Sequence, residues 1–222
     1  MSKSKGNVIN PDDMVSEYGA DSLRVYEMFI GDYTKDASWS ENGLKGCFKF
    51  LNRVWNLQDK LNNDSGFSSN LENIIHKTIK KVTNDINNMS YNTAISSLMI
   101  LLNEMDKFDS ITRDDYRLLL QLLNPFAPHI TEELNEKCKL GELFTNSVWP
   151  SYDESKTEDS ELEIGVQING KLRSTIKIKK DEDKSVVEKI ALDDEKVKKN
   201  ILDKEIIKVI VVPNRIVNIV VK

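Results

Sequence analysis

Cysteine and histidine are scarce in this 222-residue chain, with two of each. Cys47 and Cys138 stand far apart and no CxxC pair occurs, so neither a disulfide framework nor a structural zinc site is expected. No run of 18 apolar residues exists, which leaves no candidate for a membrane-spanning helix. No basic, apolar and small-residue succession of the secretory kind opens the chain. No glycine-rich turn sits within an alternating strand–helix–strand pattern, so a nucleotide-binding fold of that type is not expected in these residues. The expectation is a soluble, cytoplasmic, monomeric chain without a metal.

Apolar residues make up 39% and charged residues 30%, a balance that fits a helical protein with much solvated surface. The length allows one large or two modest domains. The net charge of −5 does not announce a nucleic-acid binder, but it is unevenly spread. Residues 161–222 hold 14 Lys+Arg against 11 Asp+Glu, or +3, and the remainder holds 17 against 25, or −8. Phosphate contacts would concentrate in the last sixty or so residues, unless those lysines are ordinary solvated edges.

Periodicity divides the chain. Asn10-Pro11-Asp12-Asp13 reads as a helix start, with a side-chain cap, a proline at the first helical position and two acids facing the positive end of the dipole. Gly19 ends that helix, and a second runs from about Ala20 to Gly31. Ser40 caps a long helix whose apolar residues from Leu44 to Leu61 recur at three and four. After a polar loop at 62–70, further helices are expected over Leu71 to Met89, Ala94 to Met105, Thr112 to Leu123, and from Thr131 to just before Gly141. Together they make a bundle. The segment 151–160 is acidic and poor in apolar residues, as an exposed linker would be. Beyond it the period becomes two. Asn169-Gly170 lies between alternating runs, a hairpin signal because both positions accept positive φ. Two short helices and two more strands follow, giving an expected ββααββ order. The fold class is therefore mainly α: a helical bundle followed by a small α+β domain. The expected domains are 1–39, a loop with a connecting helical segment; 40–150, the bundle; 151–160, the linker; and 161–222, the α+β domain.

The first seven residues, Met1-Ser2-Lys3-Ser4-Lys5-Gly6-Asn7, place two lysines among small polar residues. Ammonium groups beside hydroxyls and accessible backbone N–H groups suit polyphosphate. A solvated chain start is the plain alternative. The stretch resembles the KMSKS signature of class I aminoacyl-tRNA synthetases, whose first lysine would fall before Met1. Glu17-Tyr18-Gly19-Ala20-Asp21-Ser22-Leu23-Arg24, Trp39-Ser40-Glu41-Asn42-Gly43 and Leu123-Asn124-Pro125-Phe126-Ala127-Pro128-His129-Ile130 resemble the same family in the same order. Val166-Gln167-Ile168-Asn169-Gly170-Lys171-Leu172-Arg173 resembles the C-terminal domain of the bacterial leucyl-tRNA synthetases.

The resemblance implies a C-terminal part of such an enzyme, starting inside the signature, with a bundle of the anticodon-binding type. It implies ATP, with Mg2+, and leucine as substrates of the whole enzyme, and tRNA-Leu as partner, with none of the small molecules held by this part. Lys3 inherits the catalytic role of the signature's second lysine, and Met1, Ser2, Lys3 and Ser4 form its ATP loop. The family's HIGH motif is absent, and His76 and His129 do not stand in one. This part is therefore expected to be inactive alone. Valyl- or isoleucyl-tRNA synthetases share the signature and bundle, and a free-standing tRNA-binding or scaffold protein could be built from these two domains. A coiled-coil end or a cysteine-rich zinc end, expected for the valine and isoleucine enzymes, is missing.

Candidate tRNA contacts are Lys45, Lys49 and Arg53, spaced at four along one helix, and Lys171 and Arg173 beside the hairpin turn. The first three form either a phosphate track or a solvated face. The second two form either a phosphate clamp or protective edge charge. Arg24 could meet tRNA or a neighbouring carboxylate, with the ion pair preferred. His129 reads as a packing or capping residue, and Cys47 as a small core residue.

Overall fold

The computed structural model describes residues 8–32, 34–158, 161–202 and 204–222. The chain forms two compact units, Met1–Thr157 and Glu158–Lys222.

The first unit is helical. Helix α1 spans Pro11–Tyr18, α2 Ala20–Phe29, α3 Glu41–Asn56, α4 Glu72–Asn87, α5 Tyr91–Asp106, α6 Arg113–Leu123 and α7 Pro128–Cys138. Local chemistry sets the starts. The Asn10 side chain accepts from the Asp12 N–H at 3.2 Å, and Ser40 Oγ accepts from the Gly43 N–H at 3.2 Å. At α6, Thr112 and Asp115 cap each other's backbone, the reciprocal arrangement that satisfies two orphan donors at once.

Two boundaries differ from the sequence expectation. The long helix ends at Asn56 and passes into a 3-10 turn over Leu57–Lys60 rather than reaching Leu61 as an α-helix. The last helix begins at Pro128, one turn before Thr131. A proline at the first helical position loses no hydrogen bond, so it opens the helix rather than interrupting it. Thr131 is buried instead, accepting from Asn124 Nδ2 at 2.9 Å and donating to the Ala127 carbonyl at 2.9 Å.

One apolar core runs through all seven helices, from Tyr18, Val25 and Tyr26 to Leu134. The connecting helices α1 and α2 share it with the bundle. Tyr26 packs edge-to-face on Trp39, and its ring lies where a side chain on Gly43 would stand, so α2 and α3 approach closely. Tyr116 donates to the Val54 carbonyl at 2.9 Å from a fully buried position. Cys47 is buried in the same core, and burial pushes its thiol up to about 11, as an inert core residue requires.

Residues 149–157, most of them in the segment expected to be linker, lie along α4. Trp149 Nε1 donates to Thr83 Oγ1 at 2.8 Å, the Asp153 N–H donates to His76 Nδ1 at 3.2 Å, and Lys156 pairs with Glu72 at 2.6 Å. Glu154 pairs with Lys80. The segment is poor in apolar residues, yet its charges find opposite charges on the helix.

The second unit has β1 at Glu161–Ile168, β2 at Lys171–Lys179, α8 at Lys184–Asp193, α9 at Glu195–Ile201, β3 at Ile206–Val212 and β4 at Ile216–Val221. The strand order is β2-β1-β4-β3. Strands β1 and β2 are antiparallel, β1 and β4 parallel, and β3 and β4 antiparallel. Val187, Ala191 and Val197 from the helices meet Ile164, Val166, Ile168, Ile176, Val217 and Ile219 on one face. Asn169 and Gly170 form the β1–β2 turn with φ of 48° and 78°. The Asn169 side chain exchanges two hydrogen bonds with the backbone of Val221, each 3.0 Å, which ties the turn to β4.

Candidate functional site

Met1, Ser2, Lys3 and Ser4, the residues assigned to the ATP loop, lie outside the described residues. The helices that follow them are well anchored. Gly19, with φ of 83°, bends the chain between α1 and α2. Two residues on, Asp21 is only 7% exposed and lies at the meeting point of α2 and α7. Its Oδ1 accepts from Arg24 Nη1 at 3.0 Å, and its Oδ2 accepts from the Ile130 N–H at 2.8 Å. His129 Nδ1 lies 2.9 Å from Asp21 Oδ1 and 3.1 Å from Arg24 Nη1. Arg24 is thus in the carboxylate pair preferred for it. His129, expected to pack or to cap, has a side chain that is 69% exposed and closes this polar triangle beside the carboxylate that accepts from the start of α7.

The row Lys45, Lys49 and Arg53 on α3 is not uniformly free. Lys45 pairs with Glu41 at 2.8 Å, which holds its ammonium pKa up and the Glu41 carboxyl down. Arg53 reaches across to α5, donating from Nε to Asp106 Oδ2 at 3.1 Å and from Nη2 to Asn103 Oδ1 at 2.8 Å. Such a multidentate guanidinium holds helices together and is less available to a phosphate. Lys49 is exposed and has no hydrogen bond or ion pair among the described residues.

In the second unit the candidate cations stand on an edge strand. Lys171 opens β2 opposite Ile168. The register then shifts, with Leu172 opposite Gln167 and Ser174 opposite Val166, so Arg173 is the extra residue of a bulge. Both cations are exposed and unpaired among the described residues. The same edge carries Lys177 and Lys179, likewise exposed and unpaired there. Sequence reasoning passed over these two, although their alternation with Ile176 and Ile178 placed them on the solvated side of the strand.

The face of the sheet away from the helices has an apolar patch beside this edge. Gly165 pairs with Ile216, which pairs with Val212, and Leu172 folds over Gly165 while remaining 60% exposed.

Among the described residues no group of three or more His, Cys, Asp or Glu could hold a metal ion, and no helix is long and apolar enough to cross a membrane.

Residues 1–40 match the model of class I tRNA synthetases for isoleucine, leucine, methionine and valine, and residues 69–188 match that of the anticodon-binding domain of tRNA ligase. The chain is 49% identical over 197 residues to the leucine–tRNA ligase of Alkaliphilus oremlandii (strain OhILAs), covering 89% of this chain and 25% of that protein. It also resembles the crystal structure of the Agrobacterium radiobacter K84 LeuRS in ternary complex with tRNA and LeuAMS, with a TM-score of 0.72 and 29% identity. That likeness covers 100% of this chain and 31% of the solved one. The chain therefore spans about a quarter to a third of the length of these relatives. With the match over residues 69–188 taking in more than half of its length, the chain belongs to the family of anticodon-binding domains of tRNA ligases.

Proposed function

We propose that the chain is a monomeric, tRNA-binding, C-terminal part of a cytoplasmic leucine–tRNA ligase, an enzyme that joins leucine to tRNA-Leu at the expense of ATP. The observation that carries this reading is the 49% identity to a leucine–tRNA ligase across 89% of the chain. It supports leucine over the valine and isoleucine enzymes and over a free-standing scaffold.

In activation a leucine carboxylate attacks the α-phosphate of Mg2+-bound ATP, and pyrophosphate leaves. Charge grows on the leaving oxygens, so a lysine that reaches them in the transition state accelerates the step. By its match to the signature Lys3 inherits that role, with Met1, Ser2 and Ser4 beside it in the ATP-binding set. The sequence carries no HIGH motif, and His76 and His129 serve a strap and a helix joint. The chain alone is therefore expected to give no leucine-dependent ATP–pyrophosphate exchange. Exchange above background from the pure chain would overturn that expectation.

For tRNA, the second unit offers the unpaired edge of Lys171, Arg173, Lys177 and Lys179 to phosphates and the patch around Leu172 to an exposed base or ribose. In the first unit, Lys49 is the cation of the α3 row that is exposed and unpaired among the described residues, and it offers a phosphate contact of its own. Binding of leucine tRNA, measured across a salt series against a tRNA with a short variable arm, tests the reading. Preference for leucine tRNA with a steep salt slope is expected. Lys171→Ala with Arg173→Ala should weaken binding about ten-fold and flatten the log–log salt slope by about 1.5, from two lost phosphate contacts. An unchanged affinity and slope would remove these residues from the interface, and equal weak binding of both tRNAs would remove recognition from this chain.

A further inference from the structure

We propose that Asn169-Gly170 is a masked self-modification site: bonds to the end of β4 keep it closed, and when they open the chain converts Asn169 to aspartate or isoaspartate. An asparagine followed by glycine carries both reactants of that conversion. The Gly170 amide nitrogen is a nucleophile with no side chain beside it, and Cγ of the Asn169 carboxamide is the electrophile. Attack forms the N–Cγ bond of a five-membered succinimide. The Cγ–Nδ2 bond breaks, the proton of the Gly170 N–H passes through solvent to the departing nitrogen, and ammonia leaves. Water, the one co-reactant, then opens the ring at either carbonyl. The reaction requires neither tRNA nor ATP, so its outcome is independent of the function proposed above.

In a two-residue hairpin the flanking residues make the ladder bonds, and the polar groups of the central pair usually face water. Here they are bonded to β4. The Asn169 N–H donates to the Ile219 carbonyl at 2.9 Å, and the Gly170 N–H donates to Asn218 Oδ1 at 3.1 Å. Asn169 Nδ2 donates to the Val221 carbonyl at 3.0 Å, and its Oδ1 accepts from the Val221 N–H at 3.0 Å. The nucleophile thus holds its proton toward Asn218, and the carboxamide is turned to Val221. Ring closure needs both groups released and aimed at each other. Asn169 and Gly170 are exposed, so water has access once the bonds open. Opening of this strand end, rather than unfolding of the whole unit, then sets the rate. The product puts a carboxylate next to Lys171, and its isoaspartate form adds a backbone methylene to a two-residue turn.

The test follows loss of asparagine at position 169 by peptide mass spectrometry, in the full chain at one mildly alkaline pH, folded and in urea. The folded wild type should react at Asn169 at least about ten-fold more slowly than the unfolded chain. Asn218→Ala removes the acceptor of the Gly170 N–H and should speed the folded-state reaction about five-fold, as expected for one lost hydrogen bond. Asn42-Gly43 in α3, whose Gly43 N–H donates to Ser40 Oγ, should keep its rate in that variant. Asn218→Asp keeps an acceptor and should stay within about two-fold of wild type. Asn214→Ala is the stability control: it removes two bonds to Asp181 at the opposite end of β4 and should also stay within about two-fold. Equal rates in folded and unfolded wild type, an unchanged rate in Asn218→Ala, or the same acceleration in Asn214→Ala or at Asn42 overturns the inference. If Asn218→Ala does not fold, hydrogen exchange of the wild type decides. The protection of the Gly170 amide should match the slowing at Asn169 within about three-fold, and a slowing that matches the slowest amides of β1 instead overturns the inference.

Discussion

Replacing Asp115 with alanine should lower the stability of the first unit by about 3–5 kcal/mol, a large part of the total for a domain of ordinary stability. The residue is fully buried at the start of α6. Its oxygens accept from the Thr112 N–H at 3.1 Å and from the Ser68 N–H at 3.0 Å, and they also take the Ser68 hydroxyl. No cation pairs with it among the described residues. The charge is stabilised by these donors and by the positive end of α6. Alanine would leave the Thr112 N–H unpaired in a buried place and the half-buried Ser68 N–H and hydroxyl without their acceptor, and each stranded group costs about 1–3 kcal/mol where water does not reach it. It would also detach the loop at Ser68, which leads into α4. Trp39, Trp55 and Trp149 all fall within residues 1–157, so tryptophan fluorescence during urea unfolding reports this unit alone. A shift worth less than about 1 kcal/mol would mean that the loop relaxes to let water reach those donors.

Val217→Asp should unfold the second unit at 25 °C. Val217 is fully buried in β4, with Val166 beside it on one neighbouring strand and Val211 on the other. No cation lines this core, whose residues are Ile, Val, Leu and Ala. A lone carboxylate there costs several kcal/mol even after it takes up a proton. A unit of about sixty residues has only a few kcal/mol to lose. No tryptophan lies in it, so the readout is amide hydrogen exchange: the slow amides of β1 and β4 should exchange freely. Retained protection in those strands would show that the sheet admits water at its centre. Under the proposed function the same variant should also lose the salt-steep part of tRNA binding.

Much of the candidate interface could be read before folding, though not how free its cations are. Lys45, Lys49 and Arg53 share a helical face by spacing alone. Only the approach of α5, fifty residues further on, commits Arg53 to Asn103 and Asp106. Lys171 and Arg173 were visible beside the Asn-Gly turn. The bulge that makes Arg173 the inserted residue depends on how β2 registers against β1. Lys177 and Lys179 became part of the surface once β2 proved to be an edge strand. Strand order is a property of pairing, which leaves no local trace in the chain.

By itself the sequence determined the elements and their chemistry. Periods of 3.6 and 2 marked helices and strands, Asn10, Ser40 and Thr112 marked helix starts, and Asn169-Gly170 marked the turn, because these signals act through neighbouring residues. The ordered family-like segments came from the same source. The tertiary structure alone decided that the acidic stretch after Trp149 follows α4, that β1 pairs in parallel with β4, and that Asp21 caps a helix 109 residues away. Each of these joins groups far apart in sequence. Their energies depend on burial and charge complementarity that exist only once the chain has closed on itself.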